Sequence, residues 1–166
     1  DATLDLYVLG QNSDSTLSPT SSTLKQNIKT YLSHYRMIGD SINIKDAFII
    51  NLGMEFEIIT KPEVNNNVVL KSCINILKSM TSTSSLQINE PIIISNLILA
   101  LDNVGGVQTV KRLTITNKTD VSQGYSSYAY DVEGAIQNQV LYPSIDPMMF
   151  EIKYPNLDIK GQVVNL

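Results

Sequence analysis

Tryptophan is absent from this 166-residue chain, which holds one histidine, His34, one cysteine, Cys73, and two arginines, Arg36 and Arg112. A lone His and a lone Cys exclude a multi-histidine or Cys/His metal centre built within the chain. They also exclude a disulfide framework other than one between chains. Charge is scarce: Asp, Glu, Lys and Arg make up 17% of the residues, and the formal net charge is −4. Without clustered Lys and Arg to displace counterions, a nucleic-acid groove is not expected. The densest apolar run, 91–101, is interrupted by Ser95 and Asn96 and falls far short of the ~20 residues of a membrane span. No cofactor, no metal, no nucleic acid and no membrane span are therefore expected.

What is present is a 43% apolar fraction and 44 Ser, Thr and Asn residues. That apolar fraction excludes wholesale disorder, and the length suits one domain able to bury about 70% of its unfolded surface. The chain starts at Asp1 and enters a strand-like run at once. With no signal peptide in view, the expectation is a piece of a longer protein, with a cleaved precursor as the alternative.

The opening run, residues 3–9, alternates Leu4, Leu6 and Val8 on one face, the period of a half-buried strand. Turn residues follow from Gly10 to Pro19. A helix is then expected with Leu24, Ile28, Tyr31, Leu32 and Tyr35 as its apolar stripe. Thr23 and Gln26 fit a capping box there, with Ser21 and Ser22 as rival caps, and Gly39-Asp40 breaks the helix. His34, at that helix end, suits its terminal carbonyls and dipole, with a pH-sensing role as the sharper alternative. Arg36 is expected to pair with Asp40 or Asp46 and fix the turn, or to hold a partner chain.

Ile42 and Ile44 lead into one long alternating run. Phe48, Ile50, Leu52, Met54, Phe56 and Ile58 share a face, and Ile49, Asn51, Gly53, Glu55, Glu57 and Ile59 share the reverse. Such a strand fits an antiparallel or mixed sheet with helices on one side and a mainly polar reverse. Gly53 marks a bulge or a close backbone approach. After Pro62, one of Asn65, Asn66 or Asn67 caps a second helix to about Met80, with Cys73 in its apolar stripe. A third helix runs from near Ile92 or Ser95 to Asn103, closed by Gly105-Gly106, and Val107 to Thr116 reads as a strand. The order β-α-ββ-α-α-β is that of an α+β two-layer sandwich of ferredoxin-like flavour, over residues 1–118. Residues 119–166 hold five of the eight Tyr and three of the six Pro. Lacking a helical period, they are expected as an irregular or β arm wrapping the sandwich or a neighbouring chain.

No catalytic signature emerges. Gly105-Gly106 lacks a following Lys-Ser/Thr and helix, so it is no phosphate loop. Gly124 to Tyr128 lacks the closing Gly of a nucleophile elbow. Glu55 and Glu57 stand two residues apart on one strand face, about 6–8 Å, near a glycosidase separation. A solvated or interface-facing strand is the plainer reading, since that chemistry needs the two acids in unlike environments. Cys73 in an apolar stripe reads as core. The sequon Asn117-Lys118-Thr119 has no secretory context and reads as chance.

From Leu24 to Asn117 the motif order resembles a known family. It comprises the helix end Tyr31-Leu32-Ser33-His34-Tyr35-Arg36-Met37-Ile38-Gly39-Asp40 and the run Ser41-Ile42-Asn43-Ile44-Lys45-Asp46-Ala47 into the long strand. Leu86-Gln87-Ile88-Asn89-Glu90-Pro91-Ile92 and Asp102-Asn103-Val104-Gly105-Gly106-Val107 complete it, and Phe150 to Gly161 extends the likeness to the tail. The pattern resembles the C-terminal region of the baseplate wedge protein of T-even-like contractile-tailed bacteriophages, a relative of the baseplate J-like proteins. The resemblance implies a structural, non-enzymatic role in the virion, with assembly in the host cytoplasm. Pairs of copies would join end to end into a ring around the tail hub and bind other wedge subunits. It implies no catalytic residues. The surfaces expected to do the joining are the polar reverse of the long strand, with Glu55 and Glu57, and the Tyr/Pro-rich tail. There the candidates are Tyr125, Tyr128, Tyr130, Tyr142, Met148, Met149, Phe150 and Tyr154, since Tyr and Met anchor interfaces at modest entropic cost. A host glycan or receptor-binding module, with tyrosines as stacking platforms, is the rival expectation.

Overall fold

The computed structural model describes residues 2–35 and 39–165. Its elements begin with β1 (Thr3–Val8), β2 (Gly10–Gln11), β3 (Leu17–Ser18), α1 (Ser22–Ser33), β4 (Ser41–Asp46) and β5 (Phe48–Thr60). Then come α2 (Asn66–Met80), β6 (Ile92–Ile93), α3 (Ile94–Asp102), β7 (Val107–Asn117) and a 3-10 turn (Val121–Gln123). The chain closes with α4 (Val132–Ala135), β8 (Ile136–Gln137), β9 (Val140–Leu141), β10 (Met148–Glu151), α5 (Pro155–Asp158) and β11 (Ile159–Val163). The fold is mixed α/β, with several small sheets and no barrel.

The helix starts follow side-chain chemistry. Ser21 caps α1, its Oγ accepting the Leu24 N–H at 3.2 Å, in place of Thr23. Asn65 caps α2, accepting from the amides of Asn67 and Val68. Each cap satisfies amides that the helix itself leaves unpaired. α3 ends at Asp102 with Asn103 as its cap. The glycine pair lies beyond that end, and Gly106, at φ +96°, turns the chain into β7 against the Val69 side chain.

β5 organises the sheet. β7 runs antiparallel beside it from Leu52 to Thr60, with register shifts after Glu57 and Ile59. β11 pairs in parallel along Met54–Ile58, and β10 in parallel along Phe48–Asn51. A strand residue sends its N–H and C=O to one edge and the next residue sends its own to the other. Phe48 donates to Pro147 O and Ile58 accepts from Val164 N–H, whereas Asn51 O takes the Lys118 amide. β10 and β11 therefore share the edge opposite β7. Seven residues, 152–158, stand against only Leu52 and Gly53 between those two pairings, and α5 takes up the excess as one helical turn. The segment expected as an arm thus supplies both parallel neighbours of the central strand.

The expected apolar face of β5 is the core. Leu52, Met54, Phe56 and Ile58 pack with Val69, Cys73 and Leu77 of α2, Leu97 and Leu101 of α3, and Phe150 and Ile159 from the last segment. Fully burying side chains of this kind contributes about 1.5–3 kcal/mol each. The reverse face departs from expectation. Its first half is buried, because Leu17 and Met149 cover Ile49, with Leu9, Leu86 and Ile88 packed around them. No bulge falls at Gly53, where a Cβ would meet the end of the Lys118 side chain at 2.7 Å and the Asp158 carbonyl at an ordinary 3.5 Å.

The N-terminal part is a separate βαβ unit. β1 and β4 form a two-stranded parallel sheet in register Leu4↔Ile42 and Leu6↔Ile44. α1 is their crossover, and it buries no residue fully. Ala47, buried at the junction, donates its N–H to Val8 O and carries β4 straight into β5.

Gly161 on β11 stands opposite Phe56. A Cβ there would fall 2.1 Å from Phe56 Cζ, whereas nothing lies within 4 Å of one at Gly105. Gly161→Ala is expected to destabilise the chain by about 1–3 kcal/mol through overpacking. Gly105→Ala should leave the urea midpoint within error of the wild type.

Candidate functional site

The structure places the residues singled out in the sequence in three different settings. Tyr125, Met148, Met149 and Phe150 are buried within their own fold, which corrects their reading as interface anchors. Alternating along β10, Met148 and Phe150 enter the main core and Met149 the smaller cluster on the other face. Tyr130 is half-buried, its hydroxyl donating to Tyr142 O at 2.5 Å. Tyr154 is half-buried against Tyr125, ring centroids 5.4 Å apart. Tyr128 and Tyr142 remain exposed.

Glu55 and Glu57 lie on the solvent side of the second half of β5. Glu57 Oε1 accepts from Arg112 on β7 and from Gln162 on β11, both at 2.8 Å, and Glu55 stands in register between Thr114 and Lys160. The pair belongs to a cross-strand polar ladder, an arrangement that stabilises neighbouring strands. Arg36 lies outside the described residues. Of the two carboxylates expected to meet it, Asp40 and Asp46, the second accepts from Lys25 and from the Thr20 amide and hydroxyl. Gly39 takes φ +99° in the following turn. His34 is exposed at the α1 C-cap. Cys73 is core, and burial pushes its thiol up to about 11. The sequon's Asn117 is engaged at both ends, donating to Asn51 O and accepting the Tyr130 amide.

Sequence reasoning did not find the buried polar centre on the reverse of β5. Asn51 and Glu151 are register partners, each only 1% exposed. Asn51 Nδ2 donates to Glu151 Oε1 at 2.7 Å, and Asn51 Oδ1 accepts the Ser126 amide at 2.7 Å. Glu151 Oε2 accepts the Leu17 amide of the β2–β3 hairpin. A second buried carboxylate, Asp158, accepts the Tyr125 hydroxyl at 2.5 Å and the Tyr154 amide at 3.1 Å. Buried polar groups persist only when so partnered. The available signal was a carboxylate set between Phe150 and Ile152 in an otherwise apolar run.

Above this centre opens a cleft of about 460 Å³ between the hairpin, the β4–β5 junction and the loop 124–128. Phe48 and Tyr128 meet edge-on at its wall, centroids 4.6 Å apart. Lys153 reaches the Gly124 carbonyl across it. Among the described residues, no group of three or more His, Cys, Asp or Glu is placed to hold a metal ion, and no helix is long and apolar enough to cross a membrane.

The other feature that the sequence alone did not single out as a surface is the α1 stripe. Tyr31 and Tyr35 are 62% and 73% exposed, and Leu4 on β1 is 62% exposed. The two rings lean together with centroids 5.3 Å apart. Thr3, Leu4, Leu32, Tyr35, Ser41 and Ile42 bound a mostly apolar groove of about 470 Å³. The stripe was legible as an amphipathic helix, but a sheet of only two strands is too narrow to cover it.

No protein-family model matches the chain, and no curated protein matches it.

Burial raises the Glu151 carboxyl above its ordinary value of 4.5, against the lowering pull of the Leu17 amide, Asn51 and Lys153, with Asp14 adding to the rise. Between the ordinary and the raised value the folded chain binds more protons than the unfolded one, so stability falls as pH rises through that window. Side-chain hydrogen bonds from Lys45, Thr16 and Ser122 hold Asp5, Asp14 and Asp120 below their ordinary 3.8, so their effect appears only at lower pH and with the opposite sign. Urea unfolding from pH 4.5 upward should show a decline in the wild type that Glu151→Gln lacks.

Proposed function

We propose that this chain is a non-catalytic assembly module of a contractile-tail baseplate wedge. It contacts copies of itself and other wedge subunits in a ring around the tail hub. The observation that carries this reading is the open apolar surface of the βαβ unit, where Leu4, Tyr31 and Tyr35 stand well exposed beside an apolar groove. Contiguous exposed apolar patches mark interaction surfaces, and tyrosine is enriched at them. The motif order of residues 24–117 and the closing 150–161 supports the family side of the proposal. The use of carboxylates for structural bonding, at Glu57, Glu151 and Asp158, agrees with a scaffold role. The ferredoxin-like flavour of the layout belongs to the same reading. It rests on the β-α-ββ-α-α-β order of the longer elements before residue 118, with α2 and α3 sharing one core cluster.

A second reading, a host glycan or receptor-binding module, is favoured by one observation. Tyr128, 49% exposed, presents a ring at the mouth of the 460 Å³ cleft. Its test is glycan-array binding that disappears in Tyr128→Ala. Tyr130 is a poorer probe, because its hydroxyl bonds Tyr142 O within the fold.

The assembly reading predicts self-association. In a light-scattering or sedimentation series the chain should move from monomer to dimer as its concentration rises toward the order of 100 µM, a contact free energy of about −5 to −6 kcal/mol. A species that stays monomeric throughout counts against it.

A further inference from the structure

β1 ends a sheet, and its outer edge meets no strand among the described residues. Ala2 O accepts the Ser41 amide and Val8 O accepts the Ala47 amide, so the even-numbered residues face β4. The backbone groups of Thr3, Asp5 and Tyr7 consequently point outward. An open row of donors and acceptors is a template for pairing with another strand. Two-stranded parallel sheets rarely stand uncovered, and the α1 side of this one carries the exposed Leu4.

We propose that the free edge of β1 pairs with the β1 edge of a second copy, antiparallel about a twofold axis through Leu6, to make a continuous four-stranded sheet. The inference rests on the assembly reading above and names its surface. A closed dimer needs a self-complementary patch, and the sequence of β1 supplies one register of that kind. Facing residues of an antiparallel pair share a sheet face, so the axis must pass through a residue. At Asp5 it would crowd two Asp5–Lys45 ion pairs face to face with their carboxylates opposed, a cost that the pairing lessens without removing. At Leu4 the strand begins only one residue earlier and at Tyr7 it ends after one further residue, so either axis pairs three residues where Leu6 pairs five. At Leu6 it pairs Leu6 with itself and Leu4 with Val8 on the α1 face, and Asp5 with Tyr7 on the other. Asp5 and Tyr7 both point their backbone groups outward, as the hydrogen-bonded pairs of that register require.

The side chains suit this arrangement. The Asp5 carboxylate is already neutralised by Lys45 at 2.7 Å and hydrogen-bonded by Asn43 at 3.1 Å, so the polar face brings no bare like charges together. A twofold axis perpendicular to the sheet sets both α1 helices on the same side. The Val8 of one copy then covers the Leu4 of the other beside the apolar groove.

Three variants test the register by sedimentation. Tyr7→Pro removes one outward N–H and leaves the β4 ladder intact, and Leu4→Lys places charge at a position exposed in the monomer. Each should weaken the dimer at least tenfold while circular dichroism stays that of the wild type. Leu6→Cys should cross-link into a disulfide dimer under mild oxidation, since a non-hydrogen-bonded pair holds its Cα atoms about 4.5 Å apart, within disulfide reach. Asp5→Cys should not, and the native Cys73 is fully buried. A dimer that survives Tyr7→Pro and Leu4→Lys and leaves Leu6→Cys uncross-linked overturns the edge assignment while assembly stands. A wild-type chain that remains monomeric throughout, with no Leu6→Cys cross-link, overturns both.

Discussion

The constraint on which the rest of this structure depends is that one strand, β5, must satisfy two edges and two faces at once. Its edges hold β7 on one side and β10 followed by β11 on the other. One face carries the apolar ladder that α2 and α3 cover. The reverse changes character along its length, from Ile49 and Asn51 under the hairpin and the C-terminal segment to Glu55 in solvent. A strand used this completely leaves little tolerance. Gly161 is a point where its neighbour comes too close for a Cβ, against the Phe56 ring. The single turn of α5 takes up the residues that the returning chain carries in excess of Leu52 and Gly53 before it pairs again.

The buried Asn51–Glu151 pair follows from that crowding. Where the β2–β3 hairpin, the loop after β7 and β10 all converge on the reverse of β5, each brings backbone groups that have lost water. Asn51 and Glu151 supply a donor and acceptors between them, tying Leu17, Ser126 and Lys118 to the central strand. The carboxylate remains costly, since no cation among the described residues forms an ion pair with it and desolvation dominates its environment. The hairpin supplies the Leu17 amide to Oε2 while Asn51 holds Oε1, so displacing the hairpin would cost Glu151 the bond at Oε2.

The regular elements were legible in the sequence because their signals are local. Period-two alternation marked β1 and β5, the run Asn65-Asn66-Asn67 marked the start of α2, and Met80 its end. The packing of Cys73 followed from the stripe it sits in. What was not legible depends on contacts distant in sequence. Nothing near Glu151 announces that its partner lies a hundred residues earlier. Likewise nothing in the tyrosine-rich segment tells a ring that covers its own core from one that awaits a partner. Composition pointed to the C-terminal quarter as the surface, but β10 turned its Met and Phe side chains inward. The α1 stripe is apolar as expected and yet largely exposed, because a periodic pattern specifies that a face seeks burial and not what buries it.

That distinction locates the unfinished part of the molecule. The main core closes on itself, with α2, α3 and the last segment enclosing β5. The βαβ unit at the other end does not, since a helix of 12 residues over two strands leaves apolar side chains on one face and open backbone groups along one edge. Both deficits lie on β1 and α1, and both are relieved by the same event, the widening of the sheet. A strand added to β1 consumes the outward amides and carbonyls and brings a second helix alongside the first. The low charge of the chain then has a physical consequence, because two copies can approach along this edge with Asp5 already paired to Lys45 and little net repulsion to overcome.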